Sequence, residues 1–260
     1  MPHKIAVFCR SVSLASLLVL LSACSLFGSS GSSNVEAADT QLQLGVRYMG
    51  MNKLAIAKEH LERSVDLNSK NVEARNALAY LYEKLNDFEA AEDSYEKALG
   101  LNSEDFSVLN NYGRFLCERG EYQEGMELLE QAVANPLNNR QWLAATNAGR
   151  CALMQDNSAI AEAYLRQALQ VQPSYAPALL AMQKLSYQKG DYWAAKGFYE
   201  RYVSVSKQTA ESLWYAYQTE RALGNQNAAE QYKKQLLESF PLAEETKRIY
   251  SAQDKLKHGK

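Results

Sequence analysis

The chain has 260 residues, with 28 Lys and Arg against 30 Asp and Glu and a net charge of −2. A balance so close to neutral, with both signs mixed along the chain, leaves no basic footprint for nucleic acid. Glycine and proline are few (13 and 5), most of the common residues are helix formers, and alternating β-branched runs are missing, so an all-α fold is expected.

At the N-terminus Lys4 and Arg10 precede a short apolar run, Ser11 to Leu21. The run falls short of the roughly 20 residues that span a bilayer, and a basic start before it marks a secretory signal. Next comes Leu21-Ser22-Ala23-Cys24, which resembles the bacterial lipobox. That resemblance implies cleavage before Cys24 and lipidation of its thiol, the best alkylation target in the chain. It also implies more than one acyl chain, and several anchor firmly where a single one is marginal. Ser25 stands where an aspartate would resemble an inner-membrane retention signal, so the outer membrane is the expected address. The stretch Gly28-Ser29-Ser30-Gly31-Ser32-Ser33-Asn34 has the composition of flexible coil. Residues 1–23 are therefore expected to be removed, 24–37 to form a tether, and 38–260 to form the folded array with its tail.

The body repeats. Ala57, Ala91, Gly125, Ala161, Ala195 and Ala229 are separated by 34, 34, 36, 34 and 34 residues. Thirty-four is the period of the tetratricopeptide (TPR) helix-turn-helix unit. Repeats are expected at about 38–71, 72–105, 106–141, 142–175, 176–209 and 210–243. The first helix of each should carry a small residue facing the alanine of the second, so that two backbones approach closely. Gly45, Ala79, Gly113 and Gly149 meet that demand, whereas Gln183 and Tyr217 depart from it. Gly120, Gly190 and Gly224 mark the turn between helices, and Pro173 and Pro241 the repeat ends. Two extra residues lie within Asn135-Pro136-Leu137-Asn138-Asn139. One hairpin cannot bury its apolar face alone, so six of them are expected to stack into a superhelical solenoid closed by a short C-terminal capping helix.

No catalytic constellation is legible. His60 and His258 are the only histidines after the signal, without cysteine or carboxylate partners at metal spacing. Phosphate loops and a GxSxG elbow are missing. The expectation is a protein that is not an enzyme, with no cofactor, no metal, no nucleic acid and no small-molecule substrate. Solenoids instead bind partners in a concave groove lined by first helices. The offsets that face it are Leu42, Val46 and Met49 in repeat one, Asn76, Tyr80 and Glu83 in repeat two, Asn110, Arg114 and Cys117 in repeat three, and Thr146, Arg150 and Leu153 in repeat four. Asparagine amides would engage an extended backbone, arginines would take carboxylates, and the apolar side chains would seat an apolar segment. Cys117 and Cys151 lie on first helices of adjacent repeats. A disulfide is the expectation in an oxidising compartment, with two buried thiols as the alternative.

The run Val108-Leu109-Asn110-Asn111-Tyr112-Gly113-Arg114-Phe115-Leu116-Cys117, the start Leu42-Gln43-Leu44-Gly45-Val46-Arg47-Tyr48, and a lipobox before six repeats together resemble the type IV pilus biogenesis and stability lipoproteins, the PilF/PilW family of pilotins. The resemblance implies a protein that binds the secretin subunit of the pilus on its early repeats. It further implies that the lipid on Cys24 carries that subunit to the outer membrane, where it multimerises. The competing expectation is a TPR lipoprotein adaptor for another envelope machine, such as outer-membrane protein assembly or a scaffold for cell-wall hydrolases.

Overall fold

A computed structural model describes residues 29–258 of the backbone and the side chains of residues 33–251. The signal segment and Cys24 lie outside the described residues. Among the described residues there are helices and turns and no strand. The helices are α1 (Ser29–Gly50), α2 (Leu54–Leu67), α3 (Val72–Lys84), α4 (Phe88–Leu101), α5 (Phe106–Arg119), α6 (Tyr122–Ala134), α7 (Gln141–Met154), α8 (Ser158–Val171), α9 (Ala176–Gln188), α10 (Tyr192–Val205), α11 (Ala210–Ala222), α12 (Gln226–Ser239) and α13 (Glu244–His258). They form TPR hairpins in two compact bodies, one ending at Ser103 and the other beginning at Glu104.

Several of these helices start on side-chain caps. Asn71 accepts from the Ala74 amide, Asp87 from Ala90, Asp105 from Ser107 and Val108, and Asp191 from Ala194. Thr209 and Ser212 close a reciprocal capping box on α11. Each cap satisfies an amide that the helix leaves unpaired, worth about 1 kcal/mol.

The turn within every hairpin has one construction. A left-handed residue ends the first helix: Asn52, Asn86, Gly120, Asp156, Gly190 and Gly224, with φ between 56° and 90°. The amide after it donates back to the carbonyl five residues earlier, from Lys53 to Tyr48 through Asn225 to Glu220, at 2.9–3.0 Å. This is the Schellman closure, and it needs a residue that tolerates positive φ. Glycine supplies three of the six. Asn52, Asn86 and Asp156 supply the rest, because short polar side chains tolerate the left-handed region better than other L residues do.

In the first body, α1 to α4 form two hairpins, and α1, α2 and α3 pack around Leu42, Ala57, Leu61, Ala74, Leu78 and Leu81. A Cβ built on Gly45 would lie 2.5 Å from the Leu61 side chain, so the small residue there is a packing requirement. The Ser64 hydroxyl donates to the Ala38 carbonyl at 2.8 Å in the buried seam. Helix α1 begins at Ser29, well before Ala38. Residues 29–37, expected as tether, are thus helical, and that expectation is corrected for them. The reason lies in cooperativity: once packing at Ala38 and Leu42 anchors the helix, each upstream residue adds a hydrogen bond without a new nucleus. Residues 33–37 remain exposed.

In the second body the closest approach is between α5 and α6. A Cβ on Gly113 would meet the Gly125 carbonyl at 2.7 Å and Leu129 at 2.8 Å. Gly149 stands in the same relation to Leu165 in the next hairpin. Leu129, Leu165 and Leu236 are each completely buried, worth about 2 kcal/mol apiece. The two extra residues that precede repeat four sit in a turn built by asparagines. Buried Asn138 donates to the Ala132 carbonyl at 2.7 Å and accepts from the Arg140 amide at 2.9 Å. Gln183, at the small site of repeat five, is buried, and its amide donates to the Ser212 carbonyl at 2.9 Å. A large polar side chain fills that site by tying α9 to α11. Tyr217, at the same site of repeat six, is half-buried beside Trp214. Helix α13 closes the body, placing Ile249 against Leu213 and Leu236.

Candidate partner-binding grooves

First helices carry two concave sites, one in each body. The site in the first body lies on α1 and α3 and is lined by Asp39, Leu42, Gln43, Val46, Arg47 and Glu73. Val46 is 44% exposed and supplies the accessible apolar surface. Leu42 is mostly buried and forms the floor as part of the core. Met49 belongs to the same core cluster, where it packs half-buried. Asn76 is buried, and Tyr80 is half-buried with the Lys84 ammonium 4.8 Å from its ring centre. The sequence offsets thus bring Leu42 and Val46 to one groove, while Met49 belongs to the packing beneath. Asp39, Gln43 and Arg47 were missed, although Asp39 and Gln43 lie at helical spacing from Val46 and Arg47 lies one turn on from Gln43.

Asn110 and Arg114 have other duties. Asn110 is buried, accepts from Asn147 at 2.9 Å and donates to Asn111 at 3.1 Å. It joins first helices α5 and α7 and does not present its amide to a partner. Arg114 pairs with Glu118 at 2.8 Å one turn along its own helix. Both were expected as groove contacts. The asparagine is turned inward because a buried amide in a helical stack must find a partner, and the facing helix offers one.

Cys117 and Cys151 are joined in the structure, with their Cα atoms 5.5 Å apart. The sulfurs sit in a buried cluster with Leu129 and Ala148. Together with the Asn147–Asn110 hydrogen bond, the bridge fixes α5 to α7 at two levels. Cross-linking positions 34 residues apart removes chain entropy from the unfolded state, an effect of about 3–4 kcal/mol.

The second body contains a pocket of about 420 Å³ on α7, α9 and the start of α11. Its apolar floor is Leu153, Leu180 and Ala181, and its charged rim is Arg150, Lys184 and Glu211. Arg150 is exposed, and Lys184 lies 3.7 Å from Glu211. Tyr175, whose hydroxyl burial pushes up, is pulled partly back by the charge of Arg150.

His60 makes a hydrogen bond with Gln41 at 2.7 Å and stacks on Tyr48 with ring centres 5.3 Å apart. It serves the α1–α2 contact. Among the described residues no group of three or more His, Cys, Asp or Glu is arranged to hold a metal. No helix among them is long and apolar enough to cross a membrane.

The family model of the tetratricopeptide repeat matches residues 42–106 and 77–139. In sequence the chain is 28% identical to the type IV pilus assembly protein PilF of Pseudomonas aeruginosa, over 79% of this chain and 82% of that one. In structure it matches PilW, described as a widely conserved type IV pilus biogenesis factor, with a TM-score of 0.75 and 30% identity over 82% of this chain and 98% of PilW. The chain belongs to the PilF/PilW family. The solved PilF structure from Pseudomonas aeruginosa agrees, with a TM-score of 0.75 and 26% identity over 85% of this chain and 99% of that one. PilF/PilW proteins are TPR proteins of type IV pilus biogenesis, and the array of repeats is a scaffold for protein contacts.

Proposed function

We propose that this protein is a lipid-anchored pilotin: it binds the secretin subunit of the type IV pilus, carries it to the outer membrane and promotes its multimerisation. The observation that carries this reading is the match to PilW and PilF over more than four-fifths of the chain. The lipobox supports the anchor, because Cys24 ends a signal core and would hold the array on the periplasmic side of the outer membrane. The groove at Val46 supports the binding half. Its exposed apolar side chain sits between Asp39, Glu73 and Arg47, a setting for an apolar partner segment with polar flanks.

Tethering then does the work thermodynamically. A bound secretin segment held at the membrane meets other copies at raised local concentration, which favours the ring. The test is Cys24→Ala in cells. The expected result is a soluble periplasmic protein that still co-purifies with secretin, together with loss of secretin multimers from outer-membrane fractions. Normal multimers in that variant would refute the tethering mechanism.

A further inference from the structure

We propose that the pocket on α7, α9 and the start of α11 is a second recognition site, made for an extended partner segment that carries an apolar side chain beside a carboxylate. It lies within the second body and is argued from that body alone.

Charge comes first. The protein is net acidic, yet this pocket has two cations, Arg150 and Lys184, against one carboxylate, Glu211. An exposed arginine on these helices can pair one turn away, as Arg166 does with Glu162 at 2.7 Å. Arg150 has no such pair among the described residues. An unpaired guanidinium at a pocket rim offers a planar fork of donors that matches a carboxylate. Lys184 is held by Glu211 at 3.7 Å, too long for a strong hydrogen bond, so its ammonium can turn to an incoming acid. Glu211 also repels a second carboxylate placed on its side, which gives the bound segment a direction.

Shape comes second. Leu153 and Leu180 are half-buried and Ala181 is buried, so the floor is apolar and its depth is left open by the alanine. The volume, about 420 Å³, falls within the range of ligand pockets, roughly 300–1,000 Å³. In an extended chain successive side chains point to opposite sides. A leucine directed at Leu180 therefore shares its face with the side chains two residues away, which come over the rim where Arg150 and Lys184 stand. Neither a lone cation pair nor this small an apolar floor suits a nucleic acid or a bilayer surface.

The test uses the detergent-solubilised mature chain and two fluorescein-labelled ten-residue peptides, one repeating leucine-serine-aspartate-serine and one repeating leucine-serine-lysine-serine, read by anisotropy. The aspartate peptide is expected to bind at least tenfold more tightly than the lysine peptide, and less tightly as salt is raised. Arg150→Glu and Lys184→Glu should each weaken it at least tenfold with the helical circular dichroism unchanged. Leu180→Ser should weaken it as well, and Arg47→Glu in the first body should leave it within twofold. Equal affinity for the two peptides, no binding at millimolar peptide, or loss at Arg47→Glu with none at Arg150→Glu would overturn the proposal. So would a dimer formed through this face and broken by Arg150→Glu.

Discussion

The two bodies share one repeat and present opposite chemistry. In the first, the groove at Val46 has two carboxylates, Asp39 and Glu73, against Arg47. In the second, the pocket at Leu180 has Arg150 and Lys184 against Glu211. The buried positions of the early hairpins barely differ, with alanine or glycine facing a large apolar residue in both bodies, whereas Gln183 and Tyr217 break that pattern late in the second. Packing constrains the inner face of a first helix and leaves its outer face free to diverge, and charge there chooses partners more than it adds affinity.

The bodies also differ in how they are held. Only the second carries a covalent bridge among the described residues. Replacing Cys117 and Cys151 together by serine should lower the unfolding free energy by about 3 kcal/mol in urea melts. Limited proteolysis should show the loss concentrated after Glu104, while fragments from the first body keep their protection. Equal sensitivity in the two bodies would erase this contrast.

Glycine contacts sharpen the comparison. A methyl on Gly113 meets a backbone carbonyl, whereas one on Gly45 meets the Leu61 side chain. Backbone cannot yield as a leucine rotamer can. Gly113→Ala should therefore cost about 2–3 kcal/mol, and Gly45→Ala about 1 kcal/mol, by denaturant unfolding. Gly100, with nothing within 4 Å of its added Cβ, is the control and should gain slightly on the same change.

A smaller effect concerns the hairpin turns. Asn86→Ala keeps φ positive without a side chain suited to it and should cost about 1 kcal/mol. Asn86→Gly should be neutral or slightly stabilising, which thermal melts will show.

The smallest effect appears at alkaline pH. Burial first, then the neighbouring carboxylate, pushes Tyr82 and Tyr164 up to about 12 from an ordinary 10. Their folded pKa values are raised, so their stabilising contribution is intact below pH 10 and disappears as pH climbs through 12. Phenolate absorbance should lag behind that of free tyrosine, and one residue reports on each body.

Much of this architecture was legible because close packing writes itself into residue size. The 34-residue clock of small residues is the direct record of backbones in contact, and Gly113 opposite Gly125 is its clearest instance. The turns were only half legible. Glycine announces a left-handed residue, whereas Asn52, Asn86 and Asp156 take the same conformation with side chains that also occur everywhere on surfaces. The grooves were read less well. Periodicity finds the face on which Asn110 lies, but whether its amide looks outward depends on Asn147 across the seam, a pairing that spacing alone does not contain. Helix α1 ran past its expected start because composition reports on a free segment and not on one seeded by neighbouring packing.

The central claim is that the first-body groove grips the pilus secretin. Placing a photo-crosslinking amino acid at Val46, irradiating living cells and identifying the adduct by mass spectrometry tests it most directly. The account predicts a single major adduct with the secretin subunit, weakened by Arg47→Glu. An adduct with a cell-wall hydrolase or an outer-membrane assembly factor, and none with secretin, would contradict it.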